Sequence, residues 1–331
     1  MSAPLALTMG EPAGIGGEIA LKAWATHDPK PPPFFVIDSA ERLRAIATRF
    51  GIACPVVQIA RPEDAGAAFP LGLPVLDQTG MADVELGKPK TQTAAAVIAA
   101  IDLAVTLVQS GAASGMVTNP IQKAVLQETG FAFPGHTEYL GHLAGAAPAM
   151  MLAVPGLRVV PVTVHLRLSD VAKSLTTDAI VAHGRITAAA LKRDFGIETP
   201  RLVISALNPH AGEAGVMGDE ETRIIAPAVA ALRAEGIDVS GPAPADTLFH
   251  EAARKTYDAA LCMYHDQALI PLKTIDFARG VNITLGLPFV RTSPDHGTAL
   301  DIATKGIADP SSLLAAIHLA AEMAARRAAA P

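Results

Sequence analysis

Short apolar, β-branched runs alternate with Ala-rich helical stretches along this whole chain, and that alternation most narrows what it can fold into. "LALTM", "FFVID", "GMVTN", "RVVPVTVHL", "RLVISAL", "DAALCMY" and "VNITLG" read as strands, and residues 93–109, 177–195, 220–235 and 311–328 read as helices. Parallel strands need crossovers of a dozen or more residues, and helices that make those crossovers cover both faces of the sheet. The expected class is therefore α/β with a largely parallel sheet. At 331 residues, 50% of them hydrophobic, the chain exceeds what one core usually holds. Two domains are expected, without an internal repeat or a low-complexity linker to mark where they meet.

Several function classes fall away on composition. Charged residues are 18% of the chain and the net charge is −6, with no basic block. Aromatics are only 4%, which removes the stacking platforms of single-strand binders, so no nucleic-acid partner is expected. Cys54 and Cys262 stand far apart without a Cys-x-x-Cys pair, as in a reducing compartment, which excludes a disulfide framework or a thiolate zinc site. "TAAAVIAAIDLAVTLV" and "AGAAPAMMLAVPGLRVVPVTV" read as too short or too interrupted to span a bilayer. A cytoplasmic protein without a membrane partner is the expectation.

Three histidines share one kind of position. His165 ends "RVVPVTVH", His210 ends "RLVISALNPH" and His265 ends "DAALCMYH". Each lies at or just past the carboxyl end of an apolar strand, where open α/β sheets build their sites. One such histidine is ordinarily a hydrogen-bonded loop residue. Three of them, each in a polar cluster, suit a borderline divalent ion with a coordination position left open for catalysis. In "PGHTEYLG", His136 and Thr137 end a loop and Glu138 is expected to begin a short helix, which presents either a Thr cap or an anion site. Lys273, Asn282 and Arg291 follow His265 closely and suit a carboxylate or phosphate. In "PDHGTALDIATKGIADP", Asp301 is expected to open a helix and to accept from a ribose diol. The opening "TMGEPAGIGGEI" tempts as a dinucleotide loop, but Gly14-Ile15-Gly16 is followed by Ile19 where the fingerprint needs a third small residue.

Taken together, "GEPAGIG", "GHTE", "NPHAGE", "PADTLF", "MYHDQ", "RGVNITLGLPFVRTS" and "DHGTALDIA" resemble the 4-hydroxythreonine-4-phosphate dehydrogenase family over nearly the whole chain. The resemblance implies a fold like that of isocitrate and isopropylmalate dehydrogenases: two α/β/α domains with a cleft between them. Residues 1–128 with 295–331 would form the cofactor domain, and 129–294 the domain for metal, substrate and dimer contacts. It implies metal ligation of Zn, Mg or Co by His165, His210 and His265, and substrate contacts from His136, Thr137, Lys273, Asn282 and Arg291. It also implies a homodimer with its active site at the subunit interface.

By a more distant likeness to the isopropylmalate and isocitrate enzymes, His296, Gly297, Thr298 and Ala299 would line the adenine. Asp301 would bind the ribose and favour NAD over NADP, leaving the opening glycines as a packing turn. Asp266, beside a ligand, is the candidate catalytic group or histidine orienter. The implied chemistry is oxidation of 4-phosphooxy-L-threonine followed by decarboxylation, in pyridoxal phosphate biosynthesis. Gly17, Glu18, Ile37 and Asn119 depart from the family pattern. Relatives that oxidise four-carbon acid-sugar phosphates or aromatic dihydrodiol carboxylates remain open as an alternative. A three-histidine zinc hydrolase and a non-catalytic metal binder are the alternatives from other classes.

Overall fold

The computed structural model describes residues 3–78 and 84–329. These form two compact units, one of residues up to Ala146 together with Leu287–Ala328, the other of Ala147–Gly286. The sequence reading put the crossings at 128/129 and 294/295. The helix His136–Ala144 stays with the first unit because Tyr139 and Leu140 enter its core, with Tyr139 against Phe131 and Phe133 at ring-centroid distances of 4.9 and 5.1 Å. The return comes early because Arg291–Pro294 is a strand of the first unit's sheet.

Strands are numbered along the chain. The first unit holds β1 (Leu5–Thr8), β2 (Phe34–Asp38), β3 (Val56–Ile59), β4 (Leu73–Asp77), β5 (Met116–Thr118) and β12 (Arg291–Pro294). Their order is β3-β4-β2-β1-β5-β12, and the neighbours run parallel. All four residues of β1 and all five of β2 are buried, as expected where helices cover both faces. The expected helix over 93–109 forms as Ala94–Gln109, with Val97, Ala100, Ile101, Ala104 and Val105 in the core. Contrary to the sequence expectation, the segment Thr91–Gln109 is long and apolar enough to cross a membrane by length and composition. Its packing is that of a core helix: one face is buried in this unit, and Asp102 accepts a hydrogen bond from the Tyr139 hydroxyl.

The second unit holds β6 (Ala149–Val154), β7 (Leu157–Pro161), β8 (Arg201–Ser205), β9 (Asp238–Ala243), β10 (Ala259–Cys262) and β11 (Val281–Leu285), in the order β11-β6-β7-β10-β8-β9. β7, β10, β8 and β9 run parallel, whereas β6 is antiparallel to both its neighbours. The helix Thr177–Phe195 has its expected bounds, because Thr176 accepts from the Ala179 amide at 3.1 Å and Gly196 closes it in the left-handed region. The helix expected over 220–235 instead begins with a wide turn, Glu221–Ile225, before Ala226–Ala234. Pro227 cannot donate into that first stretch, and the Glu221 side chain is turned to the neighbouring loop. β3, β4, β6, β9 and β12 were not among the expected strands. β4, β9 and β12 carry Pro or Gly, and β6 lacks alternation.

Two family departures have a structural account. Gly17 lies against the helix Ala40–Phe50, where an added Cβ would stand 2.8 Å from Ile46 Cδ1. Glu18, only 2% exposed, accepts from Lys22 Nζ at 2.7 Å and from the Ala308 amide at 2.9 Å. Lys22 in turn donates to the carbonyls of Gly306 and Ala308 at 3.0 and 2.8 Å. This pair ties the helix Gly16–Ala25 to the segment that precedes the last helix. Replacing Glu18 with Ala leaves the Ala308 amide without its acceptor and the partly buried Lys22 ammonium with two carbonyls but no counter-charge, and should cost about 2–4 kcal/mol in urea unfolding. A cost below about 0.5 kcal/mol would show that the tie is not structural.

Candidate active site

In the second unit β10 lies between β7 and β8, all three parallel, so their carboxyl ends share one edge. His165 lies four residues beyond β7, His210 five beyond β8, and His265 three beyond β10. The imidazoles of His165 and His265 stand 6.0 Å apart between ring centroids. His265 is also the first residue of the helix His265–Ile275, and its Nδ1 is 2.7 Å from Asp266 Oδ1. That contact engages Nδ1 and leaves Nε2 as the nitrogen for a ligand, as where a carboxylate orients a metal-binding histidine.

His210 sits in an unusual backbone. His210, Ala211, Glu213 and Ala214 all have φ between 42° and 55°, a region L-residues rarely occupy in succession. Such a run persists only where its surroundings impose it, and it is commonest at functional sites. Among the described residues no group of three or more His, Cys, Asp and Glu is drawn together at metal-binding distances. The donor set fits a borderline divalent ion in kind: two imidazoles are paired, one is oriented by a carboxylate, and the third lies on the same sheet edge. In this unit Lys273 lies on the His265 helix with Nζ 5.5 Å from the Phe277 ring centroid, and Asn282 lies in β11 with its Oδ1 buried and unpartnered.

The first unit carries the other candidates. Gly135 is the N-cap of the helix His136–Ala144, so His136 and Thr137 are its first two residues and Glu138 its third, where the sequence reading began the helix at Glu138. Gly135 reaches the extended geometry that a bulkier cap would also allow; the helix therefore starts as soon as the chain leaves Pro134. His136 Nε2 is buried without a hydrogen-bond partner. Burial, then the Arg291 and Lys123 cations, hold its imidazole well below the usual histidine range, so it is neutral at pH 7. Arg291 is 3% exposed, and its Nη2 donates to Thr118 Oγ1 at 2.6 Å. Burial pushes its guanidinium down to about 10, against the opposing pull of Glu138. An enclosed cation, an imidazole nitrogen without a partner and the amides of a helix start form a candidate anion site. Thr118 and Lys123 belong to it but carry no spacing signal, because they lie far from "GHTE" in sequence.

The candidate cofactor loop follows β12. Thr298 is buried, and its carbonyl accepts from the Ile15 amide at 3.1 Å. Ala299 takes φ 46°, and an added Cβ on Gly14 would stand 2.8 Å from the Thr298 carbonyl oxygen. The opening glycines therefore pack against this loop. His296 Nδ1 contacts the Gly297 carbonyl at 3.0 Å, and Gly297 and Asp301 are exposed. Asp301 lies in a run of turns and opens no helix, since the chain takes positive φ at Ala299 and again at Gly306, whereas the helix expected over 311–328 forms as Ser311–Ala329. Asp38 is buried and bound by Arg42 and the Ser39 amide, which leaves it no role as a ribose acceptor.

A family model of the pyridoxal phosphate biosynthetic protein PdxA matches residues 30–320. A 4-hydroxythreonine-4-phosphate dehydrogenase from Caulobacter vibrioides is 55% identical over 333 residues, covering 98% of this chain and 99% of its own. The crystal structure of a 4-hydroxythreonine-4-phosphate dehydrogenase from Klebsiella pneumoniae is 38% identical and superposes with a TM-score of 0.88, over 98% of this chain and 100% of that one. That of a terephthalate 1,2-cis-dihydrodiol dehydrogenase from Burkholderia xenovorans LB400 is 26% identical with a TM-score of 0.65, over 97% and 98%. With a model matched over most of its length and relatives aligned end to end, the chain belongs to the pyridoxal phosphate biosynthetic protein PdxA family.

Proposed function

We propose that the chain oxidises 4-phosphooxy-L-threonine with NAD to 2-amino-3-oxo-4-phosphooxybutanoate, which loses CO₂ to give 3-amino-2-oxopropyl phosphate. The observation that carries the reading is the end-to-end 55% identity to an enzyme named for that substrate. In this reaction C3 gives up its hydrogen as hydride to the nicotinamide and the C3 hydroxyl releases its proton to solvent, leaving a β-keto acid primed for decarboxylation.

The chain's own residues fit distinct parts of that task. Arg291, His136 and the amides after Gly135 would hold the phosphate or carboxylate, with His136 acting as a neutral hydrogen-bonding group and Arg291 as the charge. Lys273 and Asn282 would add further anchors, and alignment of this kind accounts for a large share of catalysis. His165, His210 and His265 would hold a divalent ion, Zn, Mg or Co, with Asp266 orienting His265. Such an ion, once bound, supplies Lewis acidity at the reacting hydroxyl and carbonyl oxygens. His296, Gly297, Thr298, Ala299 and Asp301 would hold the adenosine of NAD, their loop braced by the glycine turn. The homodimer reading is supported by exposed Leu166, Leu168, Val216, Met217, Ile270 and Phe277, all in the unit that carries the three histidines. A cytoplasmic location suits two unpaired, buried cysteines.

One competing substrate has an observation behind it. The dihydrodiol dehydrogenase neighbour favours a carboxylated ring diol, which would use the same anion and metal groups without a phosphate.

Incubating the protein with 4-phosphooxy-L-threonine and NAD should yield NADH, lost on chelation and restored by added divalent metal. The dihydrodiol should give at least a hundredfold less. NADH formation that survives chelation, or activity on the dihydrodiol alone, would overturn the reading; metal-dependent hydrolysis without NADH would favour a hydrolase.

His136 predicts a pH dependence of stability. The unfolded chain takes up a proton near pH 6.5, whereas the folded site refuses it, so this stabilisation is complete above about 6.5 and is lost as pH falls. Thermal scans between pH 7 and 5 should show a steeper decline for the wild type than for His136→Asn, by at most about 1.4 kcal/mol per pH unit. Parallel declines would contradict the neutral, enclosed imidazole.

A further inference from the structure

Hydrogen bonds that belong to none of the candidate ligands run along the carboxyl ends of β7, β10 and β8. Thr163, two residues before His165, donates from Oγ1 to the Met263 carbonyl at 2.7 Å. The Met263 amide donates to Gln267 Oε1 at 2.6 Å, and Gln267 Nε2 donates to the Ala206 carbonyl at 2.6 Å. Gln267 is 7% exposed, and its amide spans from the end of β10 to the end of β8. Immediately beyond Ala206, Glu221 Oε1 accepts from the amides of Leu207 and Asn208 at 2.9 and 2.7 Å. Glu221 Oε2 accepts from Asn208 Nδ2 at 3.0 Å. Glu221 is 4% exposed, and an added Cβ on Gly212 would stand 2.6 Å from its Oε2.

The path is therefore continuous: Thr163, Met263, Gln267, Ala206, then Leu207 and Asn208 held by Glu221. It passes within two or three residues of all three histidines. Loops beyond strand ends are ordinarily free to drift, because the sheet ladder stops before them. Here two buried side chains extend the ladder past its end. Gln267 uses both ends of its amide, acceptor on one loop and donor on the other, so no smaller or apolar side chain reproduces it. Glu221 takes up two backbone amides at the point where the chain turns into the left-handed run at His210.

We propose that Gln267 and Glu221 are positioning residues that hold the His265 helix and the His210 loop in register with His165, so that the three imidazoles serve one divalent ion. The proposal rests on the three-histidine reading above. Gln267 and Glu221 bond backbone groups two residues from His265 and His210, one step beyond the partners whose loss typically costs 10–100-fold in metal affinity, so an effect at the lower end of that range is expected. Neither residue needs to touch substrate, so loss of either acts first on ion binding.

The test uses Co²⁺ as the probe, on the full chain. Affinity is read by competition with a chelator and coordination by the visible absorption spectrum, beside wild type and His210→Ala. Gln267→Leu removes both amide bonds at similar volume, and Glu221→Gln keeps the size and one acceptor while removing the charge. Both should retain the wild-type circular dichroism, bind Co²⁺ at least tenfold more weakly and show an altered spectrum. If Gln267→Leu fails to fold, Glu221→Gln decides by the same criterion. Wild-type affinity and spectrum in either folded variant would overturn the proposal. Wild-type binding by His210→Ala would instead overturn the three-histidine reading itself.

Discussion

Parallel pairing is the constraint on which the rest of this molecule depends. When β7, β10 and β8 run side by side in one direction, every chain segment that leaves them does so at one edge. Residues separated by tens of positions in sequence are then delivered to one place without any long-range code beyond the direction of the strands. The first unit obeys the same rule. β1, β5 and β12 are parallel neighbours, and the glycine turn, Asn119 and the loop at His296 all follow their carboxyl ends. Each unit thus places its chemistry where the sheet leaves backbone groups and loops available, and uses helices to bury the rest.

The two units present their candidate residues by opposite means. In the first, burial does the work: a guanidinium and an imidazole are enclosed, and the imidazole is kept neutral with its Nε2 unpartnered. In the second, the candidate ligands are exposed or half-buried, and precision has to come from the backbone that carries them. A left-handed run at His210 and a carboxylate on the His265 ring are the visible devices. Enclosure suits recognition of a fixed charge; an open edge suits an ion that must keep a coordination position for substrate.

Much of this was legible in the sequence, and the failures have physical causes. The positions of His165, His210 and His265 could be read from strand ends, because an apolar β-branched run announces where it stops. The start of the helix at His136 was read two residues late, since "PGHTE" offers Thr137 as a cap while the chain caps with Gly135. Asp301 opens turns and not the expected helix, because the backbone reverses at Ala299 and Gly306, where φ is positive. β4, β9 and β12 were hidden by the Pro and Gly within them. Gln267 stands within "MYHDQ" but its role, like that of Glu221, left no trace: a buried amide that joins two loops has no spacing rule, and only the fold shows that Ala206 and Met263 lie on either side of it. The glycine turn at Gly14 shows the reverse case, in which a conspicuous motif proves to be packing against the Thr298 loop.

The central claim is that the three strand-end histidines share one divalent ion. X-ray absorption spectroscopy of the zinc- or cobalt-loaded protein tests this most directly, because imidazole scattering counts the coordinated rings. The account predicts one tightly bound ion per chain with three imidazole nitrogens in its shell, falling to two in His210→Ala. A shell of oxygen donors without imidazole, or one unchanged by that substitution, would contradict it.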